Sequence, residues 1–246
     1  MFTRFVSLGL ITTVAGAMCA GTAFAGPIEM FLSSGGQTTT VLIGNAGDPS
    51  SVSFSGTLNG WTITSGTGGT SYSPDLNTAI GIDLGGYTAT CVGVGGCSKD
   101  PLTIAVSATG FTQPIDTKGF LLEFSGNVHG GEVSTSAYWD TANTYFCNSA
   151  NSAANDCGAN GLIGSTTLGN GSNSWSTLGG PDTIRSYSLT VVDVFSAGGG
   201  LDPSYSVDTT VTQAVPEPAT LALFGAGLLG SALAVSRRRR SEHHAA

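Results

Sequence analysis

Charge is what this 246-residue chain has least of. Asp, Glu, Lys and Arg together make only 10 %, against roughly 25 % in ordinary soluble domains. That shortage excludes a coiled coil or helical bundle, which needs Glu, Lys, Arg and Leu in quantity. Basic residues are scarcer still. Of eight, Arg4, Arg237, Arg238, Arg239 and Arg240 stand at the two ends. Between residues 26 and 215 only Lys99, Lys118 and Arg185 face fourteen acidic residues, a net −11. Nothing there neutralises a phosphate backbone, so nucleic acid is excluded as a partner of the middle segment. Histidine is nearly missing as well, His129 being the one outside the tail, and there is no G-x-S-x-G. A Ser-His-Asp hydrolase therefore lacks its base and its nucleophile elbow. The low charge does not mean disorder, because 40 % of the chain is hydrophobic.

What is present is small. Gly, Ser and Thr make about 39 % of the residues, interspersed with Val, Ile, Phe and Tyr in period two, as half-buried strands require. Strands are expected over 28–32, 38–43, 51–58, 61–64, 79–84, 87–92, 102–109, 120–128, 132–139, 186–195 and 205–212. Asn59-Gly60 is a two-residue hairpin signal, and 186–195 reads as a central strand buried on both faces. Residues 65–77 and 148–182 read as long loops. The expectation is an all-β fold, one antiparallel β-sandwich or jelly-roll-like domain over residues 26–214. A solenoid is the other all-β option, but no fixed-period repeat supports it.

The two ends read as addresses. Residues 1–25 form a signal helix: Arg4 is the positive start, 5–20 the apolar stretch, and Ala23-Phe24-Ala25 the small-x-small pattern that leaves Gly26 as the new N-terminus. Signal peptidase is the implied processing enzyme. At the other end, residues 215–246 begin with Pro216, Glu217 and Pro218, whose prolines keep the chain extended. Residues 219–235 follow without a charge. As a helix they span about 25 Å, enough for one crossing of a thin hydrocarbon core. Arg237, Arg238, Arg239 and Arg240 then act as a stop-transfer anchor on the cytoplasmic side.

This order of tripeptide, short span and arginine run resembles the PEP-CTERM sorting signal of Gram-negative bacteria. Such tails also carry the label of an ice-binding protein C-terminal domain, which is no evidence of ice binding here. The resemblance covers about the last thirty residues. It implies recognition by exosortase, a membrane peptidase-transpeptidase, and an exported protein anchored transiently in the inner membrane before it reaches the cell surface or extracellular matrix. It also implies an exopolysaccharide or biofilm setting, hence a structural or adhesive protein rather than an enzyme.

Four cysteines remain once the signal is removed: Cys91, Cys97, Cys147 and Cys157. An even number in an exported chain favours disulfides. Three connectivities exist, of which the local pairs 91–97 and 147–157 close small loops; zinc is the other use, but the spacing lacks a nearby histidine. Glu123 and Glu132, expected to flank a hairpin through Gly130-Gly131, are the carboxylates a glycosidase would need. No cofactor is called for. Asp48, Asp100, Asp140, Asp156, Asp182 and Asp202 lie in turns where Ca2+ finds oxygen ligands, although turn aspartates commonly cap their own backbone and no D-x-D-x-D-G loop organises them. The remaining candidate is aromatic: Tyr138, Trp139 and Tyr145 beside Asp140 suit stacking on sugar rings, which would make the domain a carbohydrate-binding module. Against this, a tryptophan at a strand end commonly belongs to the core.

Overall fold

Period-two patterning becomes pairing in the structure, a computed structural model that describes residues 28–43, 51–73, 78–91, 99–111, 119–142, 144–148, 161–180, 186–198 and 202–214. Twelve strands account for most of them: β1 (Ile28–Ser34), β2 (Gln37–Ile43), β3 (Ser51–Leu58), β4 (Trp61–Ser73), β5 (Thr78–Cys91), β6 (Leu102–Phe111), β7 (Phe120–His129), β8 (Gly131–Asp140), β9 (Leu162–Leu168), β10 (Gly171–Gly179), β11 (Tyr187–Ala197) and β12 (Ser204–Gln213). They form two six-stranded antiparallel sheets. Sheet A runs β2-β1-β6-β11-β8-β9, and sheet B runs β3-β4-β5-β12-β7-β10. Strands adjacent in sequence face each other across the core, β5 against β6, β7 against β8, β9 against β10 and β11 against β12. The fold is thus an antiparallel β-sandwich. The signal and membrane helices expected at the ends lie outside the described residues, and no described helix is long and apolar enough to cross a membrane.

Alternation fills the space between the sheets. Met30, Leu32, Ile104 and Val106 from sheet A meet Trp61, Leu84, Phe124 and Val211 from sheet B in one buried cluster. Aromatic rings tie the layers together: Phe195 packs edge-on against Tyr87 and Tyr205, at 5.7 and 5.0 Å. β11, flanked by β6 and β8, is buried along most of its length, as its apolar run over 191–195 implies. A smaller cluster covers the outer face of sheet A, where Phe146 from the short 3-10 helix Tyr145–Asn148 packs on Phe31, Ala105 and Val192.

Three local expectations are corrected. Residues 65–73, expected in a loop, continue β4, and the expected loop 148–182 contains β9 and β10. Hydrogen bonding more than burial holds β9 and β10 in place, because both are edge strands whose outward residues are mostly Ser and Thr, with Leu162 and Leu178 at one end. The strands expected at 79–84 and 87–92 are one strand, β5, bulged at Gly85-Gly86 opposite Asp208. Gly86 sits at φ +66° there, a conformation open to glycine at no steric cost. Finally, Gly130 makes no hairpin. At φ +74° it turns the chain from β7 in sheet B to β8 in sheet A.

Asn59-Gly60, in contrast, makes the expected two-residue turn, with φ +47° and +84°. The Asn59 side chain fixes it by donating to Asp100 Oδ2 at 3.1 Å and to the Ser34 hydroxyl at 3.2 Å.

Candidate functional site

The expected sorting residues Pro216, Glu217, Pro218 and Arg237 to Arg240 lie outside the described residues, as do Ala23, Ala25 and Gly26. What the structure does define is the place from which the tail departs. β12 is an interior strand of sheet B, paired with β7 on one side and β5 on the other. Gln213 pairs with Phe120, and the Ala214 N–H still donates to the Gly119 carbonyl at 3.0 Å. Two residues later comes Pro216, which has no N–H to continue a ladder. The fold therefore holds the chain up to the threshold of the tail.

Both ends of the described chain emerge at one end of the sandwich. In sheet A, Ile28 pairs with Ala108, which also pairs with Leu189 near the start of β11. Tyr187, two residues earlier, stacks on Phe111 and meets Phe120 of sheet B edge-on at 5.3 Å. Phe120 in turn pairs with Gln213. The chain thus enters β1 and leaves β12 on the same side.

The aromatic candidates separate. Trp139 turns inward and packs against the inter-sheet core, whereas Tyr138 and Tyr145 pack on the cluster outside sheet A. Alternation along β8 puts neighbours on opposite faces, so the three side chains do not share a platform. The expected carboxylate pair separates too. Glu123 stands in sheet B beside Ser176 and Thr210, and Glu132 stands in sheet A beside Ser196. His129 is an exposed residue at the end of β7.

Among the calcium candidates, Asp140 caps its own turn, accepting from Ala142 N at 2.8 Å and Thr144 Oγ1 at 2.7 Å. Asp100 is held by Asn59. Asp48, Asp156 and Asp182 lie outside the described residues, and no group of three or more metal-ligating side chains occurs among the described ones. Of the cysteines, Cys91 is buried and disulfide-bonded. Cys97 and Cys157 lie outside the described residues, so the pairing itself stays an expectation.

Other carboxylates, overlooked in the sequence, are the distinctive ones. Asp193 of β11 points into the core and is fully buried. Its Oδ2 accepts from the Tyr87 hydroxyl at 2.6 Å and the Thr209 hydroxyl at 2.9 Å, both from sheet B. Desolvation pushes this carboxyl up to about 6, outweighing the hydrogen bonds from Tyr87 and Thr209 that lower it. Asp83 is pushed up to about 7, first by burial and then by its hydrogen bond to and repulsion from Asp208. Both carboxylates close on Gly85, where a Cβ would stand 2.6 Å from one and 3.0 Å from the other.

Asp208 also lines a shallow cleft of about 470 Å³ on the outer face of sheet B, with Ser125, Asn127, Ser172, Asn173 and Ser206. Its walls are hydroxyls, amides and one carboxylate, suited to hydrogen-bonding a hydroxylated ligand. The signal for these residues lay in the strands: an aspartate inside an apolar run (Asp193), and a Gly-Gly bulge between Asp83 and the cleft.

An antiparallel sandwich whose interior strand leads into a proline-bounded tail defines a folded passenger with a C-terminal sorting signal. The comparisons agree on the signal. The family model described as the PEP-CTERM protein-sorting motif matches residues 214–240, beginning at the last ladder-bonded residue; the chain thus carries a PEP-CTERM motif after its sandwich. No curated protein matches it significantly. Similar solved structures include the enzymatically active domain of Bacteriophage CBA120 tailspike protein 4 (11 % identity, TM-score 0.32), with 63 % of this chain covered and the chain spanning only 19 % of the tailspike domain. Another is TmCBM61 in complex with β-1,4-galactotriose (12 % identity, TM-score 0.29), covering 63 % of this chain and 88 % of that one.

Proposed function

We propose that this is an exported, non-enzymatic surface protein. Exosortase takes it through the tail, and its sandwich serves a structural or adhesive role among exopolysaccharide. The observation that carries the reading is the junction at Ala214. The described strands end where the matched sorting motif begins, so a cut within the Pro-containing 215–218 segment releases an intact sandwich. A cut upstream of 214 would shorten β12, an interior strand, and open the core. The processed chain is therefore expected to begin near Gly26 and to end after Ala214 and before residue 219. Intact-mass spectrometry of the protein collected from the cell surface tests this. A species retaining Arg240 in cells that carry an exosortase would refute it.

A carbohydrate-binding role is the second reading, and the cleft on sheet B is what favours it. Ser125, Asn127, Ser172 and Ser206 offer donors and acceptors to sugar hydroxyls, while Trp139 is turned inward and packs, partly buried, against the core.

A further inference from the structure

We propose that, until the tail is cut, the sandwich docks on the phospholipid surface by the end from which both termini leave, through a collar that includes Leu162 and Leu178. This rests on residues 219–235 being inserted in the membrane, as the sorting reading holds. Three independent features of the molecule converge on that end.

The first is reach. Ala214 is fixed to Gly119 in the sheet, and only residues 215–218 separate it from the apolar stretch. Four extended residues span at most about 14 Å. The headgroup layer on one side takes roughly 5–8 Å of that. The gap left between sandwich and headgroups is then less than about 10 Å, no wider than a single sheet-to-sheet spacing.

The second is exposed apolar surface. Among the described residues the two exposed large hydrophobics are Leu178, 57 % exposed, and Leu162, 46 % exposed. Both lie at the tail end. Leu178 pairs with Leu121, which pairs with Thr212, so the three form one row across β10, β7 and β12, two residues before Ala214. Leu162 pairs with Tyr138 at the matching end of sheet A. The far end, built from the Asn59-Gly60 turn, Asp100 and the Gly130 corner with Glu132, exposes no large apolar residue among those described.

The third is the absence of charge where the collar sits. Residues 161–180, which carry both leucines, contain no Asp, Glu, Lys or Arg at all, in a segment whose overall balance is −11. The two collar strands thus bring no charge to a lipid surface where anionic headgroups would repel carboxylates; the described carboxylates at the same end are Glu29 and Asp140, the latter held by Ala142 N and the Thr144 hydroxyl.

Tryptophan emission of the full chain in phospholipid vesicles tests the orientation. Trp139 is at the tail end, its ring 3.6 Å from where a Cβ on Gly180 would stand, and Trp61 is at the far end, bonded to the Asp100 carbonyl at 3.1 Å. Vesicles made with lipids dibrominated near the headgroup are expected to remove about a third of the emission, one of three tryptophans. The loss should vanish in Trp139→Phe and persist in Trp61→Phe. The double variant Leu162→Ser, Leu178→Ser, altered only at exposed positions, should lose at least half of the quenching. Quenching that follows Trp61, that is absent, or that the leucine variant leaves unchanged would overturn the docking. So would quenching that appears only as protein concentration rises, since the leucines would then be meeting a second copy. An alkaline wash separates the two levels: a wild-type chain stripped from the vesicles refutes membrane insertion itself, whereas an embedded chain without Trp139 quenching refutes only this inference.

Discussion

Asp193→Asn should stabilise the sandwich at neutral pH and leave it nearly unchanged in acid. The carboxyl is fully buried, and its value is raised from 3.8 to about 6. Two pH units of displacement correspond to about 3 kcal/mol. The sign follows from proton uptake. Between pH 4 and 6 the folded chain keeps this proton while the unfolded chain has lost it, so stability falls as pH rises through that window. Above pH 6 the wild type buries a charge that asparagine does not carry. Asparagine keeps an oxygen for the Tyr87 and Thr209 hydroxyls, so the packing survives. For a chain of this size 1 kcal/mol moves the melting temperature by about 2–4 °C. The variant should therefore melt roughly 6–12 °C above wild type at pH 8, and within about 2 °C of it at pH 4. Circular-dichroism melts of the processed protein across pH 4–8 give both curves. Part of the wild-type slope should remain in the variant up to about pH 7, because Asp83 still titrates beside Asp208. Equal melting temperatures at pH 8, or a variant weakened at every pH, would show that Asp193 is held for its charge and would sink the argument.

Two further substitutions address packing. At Gly131 a Cβ would run into the Tyr205 hydroxyl and the Ser196 carbonyl, which are bonded to each other at 2.7 Å. Gly131→Ala should lose about 2–4 kcal/mol from overpacking and the broken hydrogen bond, read as a lower urea midpoint. Gly169→Ala, with nothing within 4 Å, should be close to neutral, and equal losses at the two positions would refute the steric account. Trp139→Ala should cost about 2 kcal/mol of stability, less than full burial would give, since the ring is only partly covered. Retention on an exopolysaccharide column should not change in that variant. A tenfold loss of binding without a stability loss would restore the aromatic-site reading.

The strands that alternate strongly were legible from sequence, and the reason is burial. β6 carries Leu102, Ile104, Val106 and Ala108 on its core face, and a slip of one residue would turn all four away from the inter-sheet core. β9 and β10 were not legible, because an edge strand beside Ser and Thr needs only backbone pairing and leaves little hydrophobic period to read. The Gly130 corner misled for a related reason. A Gly-Gly pair between two alternating stretches is compatible with either a hairpin or a change of sheet, and only the partners of β7 and β8 decide between them. The aromatic cluster failed on parity: consecutive positions such as Tyr138 and Trp139 cannot face one ligand from a regular strand.

The charge pattern explains why the C-terminal motif was readable in the sequence and the cleft on sheet B was not. Arg237 to Arg240, inside the matched motif, stand out against a chain with three other basic residues between 26 and 215. Nothing comparable marks the outer face of sheet B. Ser125, Asn127, Ser172 and Ser206 look individually like ordinary solvent-facing residues and become a cleft only when β7, β10 and β12 lie side by side. Such a surface gains specificity from the spacing of hydroxyls and amides across three strands that are far apart in sequence. In the proposed setting among hydrated polysaccharide, such a surface needs neither strong charge nor exposed aromatics to bind by hydrogen bonds. On this account the carboxylates that set the pH response are the fully buried Asp193 and the half-buried Asp83. Asp193 and Asp83 hold their protons into the mildly acidic range, so acidification should tighten the sandwich where it would loosen a domain built on surface ion pairs.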